Sequence, residues 1–132
     1  MTASKPKILI IDDDRFLTGI FVPSLKKKGL AVAVANDPLS GLELVKRDPP
    51  DLILLDIVMP GMDGYAVLRE LKSDAATASI PVVMLSNLTQ PEDIERAMAA
   101  GASGFLKKQE SLPSAVAEKV RQLVKRANPK KI

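Results

Sequence analysis

Short runs of consecutive apolar residues alternate along this chain with stretches whose apolar positions recur every three or four residues. The first pattern predicts strands buried on both faces, and the second predicts amphipathic helices. Residues 7–11 form the first apolar run, and a helix follows over 15–28 with Phe16, Leu17, Ile20, Phe21 and Leu25 on one face. Pro23 lies four residues after Gly19, where its ring meets the Gly19 carbonyl, so a kink is expected there. Gly29 suits the position just past the helix end. Residues 30–35 form a second strand, and Asp37-Pro38 opens a helix with Leu39, Leu42, Leu44 and Val45 as its stripe. Leu52 to Leu55 form a third strand that runs straight into Asp56 and a Pro/Gly-rich turn ending at Gly64. A helix over 65–73 places Val67, Leu68 and Leu71 inward. A fourth strand spans 81–85 and ends at Ser86. Thr89 and Glu92 have capping-box spacing for a helix that reaches Ala100 and stops at Gly101. Residues 104–108 form a weaker fifth strand. A last helix starts near Pro113, with Val116, Val120, Leu123 and Val124 inward.

Five strand–helix units in alternation predict an α/β fold, a parallel sheet with helices on both faces. The common five-stranded solution is a flavodoxin-like, three-layer αβα sandwich of strand order 2-1-3-4-5. Its 132 residues suit one domain, with a core over about 7–127 and a short basic tail over 128–132.

Composition narrows the chemistry. There is no cysteine and no histidine, which removes disulfides, thiolate or imidazole metal sites, histidine-based triads and a role as histidine phosphodonor. No apolar run approaches bilayer length and the amino terminus lacks an apolar signal region, so a cytoplasmic protein without membrane insertion is expected. The net charge of +3 gathers at Lys26–Lys28 and near Lys125, Arg126, Lys130 and Lys131. These positions suit helix ends. Nucleic acid is not an expected partner, because no reading helix or aromatic platform accompanies the charge.

In the 2-1-3-4-5 order, strands 1, 3, 4 and 5 are neighbours, about 4.8 Å apart. Their carboxyl ends carry Asp12, Asp13 and Asp14, then Asp56, Ser86, and Lys107 and Lys108. Packed carboxylates repel unless a cation sits among them, and Mg²⁺ accepts such oxygen ligands. Carboxylates, cation, hydroxyl and lysine together suit a phosphoryl group attacked in line by an aspartate oxygen.

These residues resemble the receiver domain of bacterial two-component response regulators, of the chemotaxis-regulator type. The resemblance rests on Ile-Ile-Asp12-Asp13-Asp14, Asp56-x-x-Met59-Pro60-x-Met62-Asp63-Gly64, Leu85-Ser86 and Gly101-Ala-Ser-Gly-Phe105-Leu-Lys-Lys108, and covers nearly the whole chain. It implies a phosphoacceptor module rather than an enzyme beyond self-directed phosphotransfer and autodephosphorylation. Asp56 would accept the phosphoryl group from a sensor histidine kinase or histidine phosphotransfer protein. Asp12, Asp13, Asp56 and the Val58 carbonyl would hold Mg²⁺. Ser86 and Lys108 would contact the phosphoryl group, with Ser86 and Phe105 as switch residues. The α4-β5-α5 surface, roughly 91–124, would then engage a downstream protein. Asp14 and Lys107 read as a helix cap and a surface charge. Ser86 replaces a frequent Thr, Asn87 a smaller residue and Gln109 a proline, and without that proline a cis Lys108–Gln109 peptide is not favoured. Val58 and Leu88 are apolar and do not orient a hydrolytic water, which predicts a long-lived aspartyl phosphate. Two alternatives are weaker. A haloacid-dehalogenase-type phosphohydrolase needs Thr or Val two residues after Asp14, where Phe16 stands. A phosphorylation-independent interaction domain usually lacks one of the site residues, and none is missing.

Overall fold

The computed structural model describes residues 5–88, 90–109 and 112–129. The elements alternate as β1 (Lys7–Ile11), α1 (Arg15–Lys27), β2 (Ala31–Ala35), α2 (Pro38–Arg47), β3 (Leu52–Leu55), α3 (Gly64–Ser73), β4 (Val82–Ser86), α4 (Pro91–Ala99), β5 (Gly104–Lys107) and α5 (Pro113–Ala127). The five strands found among the described residues form one parallel sheet of order β2-β1-β3-β4-β5, as the alternation predicts. Successive side chains of a strand point to opposite faces. Leu9, Ile11, Ile53, Leu55, Val82 and Met84 therefore feed one core, with residues of α2, α3 and α4. Ile8, Ile10, Leu52, Leu54, Val83 and Leu85 feed the other, with α1 and α5. The continuous apolar runs of β3 and β4 are fully buried because each face has a helical cover.

Helix starts follow side-chain chemistry. Asp14, Asp37 and Asp63 cap α1, α2 and α3, accepting the amides of Leu17, Ser40 and Ala66. At the end of α1, Gly29 adopts φ +82°, and the Gly29 and Leu30 amides reach the carbonyls of Lys26 and Leu25. This closure also brings the buried Leu25 and Leu30 into the same core.

Several helical details differ from the periodicity. The buried face of α1 is Thr18, Phe21 and Leu25, with Leu17 partly covered, whereas Phe16 is 79% exposed and Ile20 38%. Positions 16 and 20 stand about 100° round the helix from 17 and 21, beyond the arc covered by sheet and α5. Leu39 is likewise 65% exposed in the first turn of α2. The helical assignment continues unbroken through Pro23; both Pro23 and Gly19 are exposed, so water can reach the carbonyl that the proline leaves unpaired. Gln90, without a side-chain bond, occupies the N-cap of α4. Thr89, the expected capping residue, lies outside the described residues, as do Lys130 and Lys131 of the basic tail.

The turn after β3 depends on one close approach. The Gly64 amide donates to the Ile57 carbonyl at 2.7 Å. A Cβ on Gly64 would lie 2.2 Å from the Asp56 carbonyl oxygen and 2.7 Å from the Ile57 Cα. Both obstacles are backbone and cannot rotate away. Gly64→Ala should therefore cost at least about 2 kcal/mol of unfolding free energy. Gly19→Ala, in the exposed middle of α1 with nothing within 4 Å of its Cβ, should add about 0.5–1 kcal/mol. Urea midpoints of the two variants moving in the same direction would contradict this reading.

Candidate functional site

The parallel ladder continues past the strands and fixes the backbone of the polar residues beyond them. The Asp12 amide donates to the Ala35 carbonyl at 3.0 Å, Asp56 to Ile11 at 3.0 Å and Lys108 to Ser86 at 2.8 Å. Each polar side chain is thereby presented at the carboxyl edge by a neighbouring strand. Their shared cavity, about 520 Å³, is lined by Asp13, Asp14, Asp56, Val58, Ser86, Asn87, Leu88 and Lys108.

Lys108 is the electrostatic centre. Only 5% exposed, it places its Nζ 2.6 Å from Asp12 Oδ2 and 3.4 Å from Asp56 Oδ2. Asp12 and Asp56 are likewise buried, at 2% and 6% exposed. The second oxygen of each is also held: Asp12 Oδ1 accepts the Asp14 amide at 2.9 Å, and Asp56 Oδ1 accepts the Ile57 amide at 2.8 Å. These bonds orient both carboxylates with little freedom.

Burial and the charge of Asp12 push the Asp56 carboxyl up to about 6, against the opposing pull of Lys108 and the Ile57 amide. Burial alone would lower Lys108, but its hydrogen bond to Asp12 and the charges of Asp56 and Asp12 outweigh that and raise it. The ammonium therefore stays charged while Asp56 is poised to exchange a proton near neutrality.

Carboxylate oxygens of Asp12, Asp13 and Asp56 lie within 4.8 Å of one another, close enough to hold a metal ion. One ammonium against three carboxylates leaves the cluster short of positive charge. The donor set is all oxygen, with no histidine or cysteine anywhere in the chain, which fits a hard divalent cation.

The remaining residues singled out in the sequence divide by position. Ser86 is fully buried, borders the cavity and accepts the Leu88 amide on its Oγ at 3.1 Å. Val58 is 63% exposed at the cavity's edge. Phe105 is half-buried outside the cavity lining and packs against the core that contains Tyr65, Met84 and Ala97. Asp14 both caps α1 and lines the cavity, whereas Lys107 does not line it. The peptide after Lys108 is trans. Sequence reasoning missed the contact of Tyr65 with α4, in which the Arg96 guanidinium carbon lies 3.9 Å from the ring centroid. A tyrosine directly after Asp63-Gly64 and an arginine in the middle of α4 carry no pairing signal across 31 positions of sequence.

Among the described residues no helix is long and apolar enough to cross a membrane. The family model for the response regulator receiver domain matches residues 8–121. The DNA-binding dual master transcriptional regulator RpaA of Synechocystis is 37% identical over 123 residues, covering 93% of this chain and 51% of that protein. The response regulator PleD of Caulobacter vibrioides is 40% identical over 102 residues, covering 77% of this chain and 22% of that protein. The chain thus spans about half or less of these relatives' length. The solved structure of the Vibrio cholerae chemotaxis protein CheY4 superposes with a TM-score of 0.83 at 25% identity, over 90% of this chain and 98% of that one. The ladder that carries the acidic cluster, hydroxyl and lysine to one edge is thus accompanied by a family match over most of its length, and the chain belongs to the response regulator receiver domain family.

Proposed function

We propose that Asp56 accepts a phosphoryl group from a partner histidine, and that the chain acts as a single cytoplasmic receiver domain built on residues 7–127. The observation that carries this reading is the placement of Lys108 between Asp12 and Asp56 beside one cavity that Ser86 also borders. An Asp56 oxygen attacks the phosphorus in line. A P–O bond forms as the P–N bond to the donor imidazole breaks, and the bonding pair leaves with the ring nitrogen. The Ile57 amide holds the carboxylate's orientation during attack. Lys108 turns its ammonium from the carboxylates toward the phosphoryl oxygens, and the Ser86 hydroxyl donates to another.

Asp12, Asp13 and Asp56, with the Val58 carbonyl, are the residues that would hold Mg²⁺. When bound, that ion neutralises the cluster and the developing charge on the phosphoryl oxygens. The module is a signalling device rather than a turnover enzyme, and its only catalysis is self-directed phosphotransfer and slow autodephosphorylation. The phosphoryl group adds charge and acceptor oxygens. Inward movement of Ser86 and Phe105 then biases the α4-β5-α5 face, roughly residues 91–124, toward a form that binds a downstream protein.

Incubation with acetyl phosphate and Mg²⁺ should label the protein stoichiometrically, with the label lost in Asp56→Ala. Profiling against purified histidine kinases should show the same dependence. Labelling that survives Asp56→Ala would overturn the assignment.

The raised carboxyl of Asp56 predicts a pH dependence. The cation takes the ionised form, so Mg²⁺ affinity should weaken as pH falls through about 6, with proton release on binding near that pH. Calorimetry in buffers of different ionisation enthalpy measures the protons. In the metal-free protein the sign is reversed: native Asp56 retains a proton that the unfolded chain has released. Stability from this group should fall as pH rises from about 4 to about 6.

Both Val58 and Leu88 line the cavity. With neither able to orient a hydrolytic water, the phosphorylated protein should outlast a Val58→Asn, Leu88→Glu variant in a dephosphorylation time course by about a hundredfold, the low end of a general-base contribution.

A further inference from the structure

The contact between α3 and α4 lies outside the phosphoacceptor cavity, yet its anchor begins two residues from Asp63 in the turn that shapes that cavity. Tyr65 is 3% exposed in the first turn of α3. Its hydroxyl donates to the Asp93 carbonyl of α4 at 3.2 Å, and the Arg96 guanidinium lies over its ring at 3.9 Å. Burial raises the phenol, so it remains a protonated donor. Arg96 and Asp93 stand one turn apart and grip the ring from the same side of α4.

Two features give this contact more weight than its size suggests. First, α4 is lightly held. Of its residues, Ala97 is the one counted as buried among those described, and its N-cap has no side-chain bond. A tyrosine hydrogen bond and a cation–π contact are then a large share of its anchorage. Second, Tyr65 is rigidly tied to the phosphoacceptor's backbone. Gly64, its neighbour, bonds the Ile57 carbonyl and has no room for a Cβ against the Asp56 carbonyl. Through that hydrogen bond a shift of the Asp56–Ile57 backbone would carry Gly64 and, next to it, Tyr65.

We propose that Tyr65 and Arg96 form a latch that holds α4 in its unphosphorylated position and couples it to the Asp56 backbone, separately from Ser86 and Phe105. The inference rests on the phosphoacceptor reading of Asp56. Both latch residues are positioning residues that act on the equilibrium between two α4 arrangements rather than on the reacting atoms. Opening the latch removes a cost of switching, so a phosphoryl mimic should bind more tightly to variants that lack it. Losing a cation–π contact whose arginine is exposed to solvent corresponds to roughly threefold in affinity.

The test uses beryllofluoride with Mg²⁺ as the phosphoryl mimic, on the full chain. Arg96→Ala should bind it about threefold more tightly than the native protein, Arg96→Lys should fall between them, and Tyr65→Phe should tighten it modestly. Combining Arg96→Ala with Tyr65→Leu should add less than the sum of the two, because both break one contact. Tyr65 is the chain's one tyrosine and there is no tryptophan, so its near-ultraviolet circular dichroism reports the latch directly. Beryllofluoride should change that signal in the native protein and change it little in Arg96→Ala. Without any mimic, amide exchange in Arg96→Ala should quicken across α4 and not across α1 or α5. A purely structural contact would lower the melting temperature and quicken exchange in α4 while leaving affinity for the mimic unchanged, and that result overturns the latch. Unchanged affinity in variants of a native protein that binds beryllofluoride also overturns it and leaves the phosphoacceptor reading intact. Failure of the native protein to bind beryllofluoride overturns both.

Discussion

A single buried ammonium governs the carboxyl edge of this sheet. Lys108 sits against Asp12 and Asp56 at low exposure, and two nearby carboxylates with no cation between them would repel each other strongly. Removing one member of such a buried set typically costs about 3–5 kcal/mol, because a charge is left uncompensated. The arrangement is nonetheless incomplete as electrostatics. Asp13 joins the same cluster, and burial together with the charge of Asp12 leaves Asp56 with a carboxyl pushed up to about 6. The site is held together well enough to be ordered, yet remains short of positive charge in the place where a divalent cation or a phosphoryl group with its counterion would fit.

That ammonium can reach both partners because of backbone register. The ladder bonds from Asp12 to Ala35, Asp56 to Ile11 and Lys108 to Ser86 extend parallel pairing one residue past the strands. A slip of one position in β5 would turn Lys108 to the opposite face and bury Lys107 in its place. The two hydrophobic cores oppose such a slip, since each strand feeds alternate side chains to both. Packing energy spread over the whole sheet is thus what holds one nitrogen in position. The same edge receives the amino ends of α1, α2 and α3, each capped by an aspartate. Their dipoles favour negative charge there.

Buried contact is distributed unevenly around this centre. The strands β3 and β4 are entirely buried, while α4 contributes little apolar surface to the core. A helix with few buried contacts is the element most easily displaced when charge at Asp56 changes. Its connection to α3 through Tyr65 lies on the same core face as Phe105, so two side chains link α4 and β5 to the strands that carry the site.

The residue pattern determined the architecture. Apolar runs too short for helices and too continuous for half-exposed strands admit a doubly covered parallel sheet, and five alternations leave one common strand order. With that order, Asp12, Asp13, Asp56, Ser86 and Lys108 were legible as one cluster, because strand-end position follows from run length. Asp14 and Asp37 could be assigned to helix starts, since capping is local chemistry, whereas the cap at Asp63 lies within a Pro/Gly-rich turn and emerges only in the structure. What the pattern did not determine was which parts of an apolar stripe find a cover. Phe16, Ile20 and Leu39 have helical spacing and remain exposed, because periodicity records the side of a helix but not the width of the surface packed on it. Tertiary structure alone decided that Lys108 stands closer to Asp12 than to Asp56, that Asp56 is pushed toward neutrality, and that Tyr65 meets Arg96. Each depends on distances between residues far apart in the chain, which are set by the twist and packing of the sheet rather than by any local preference.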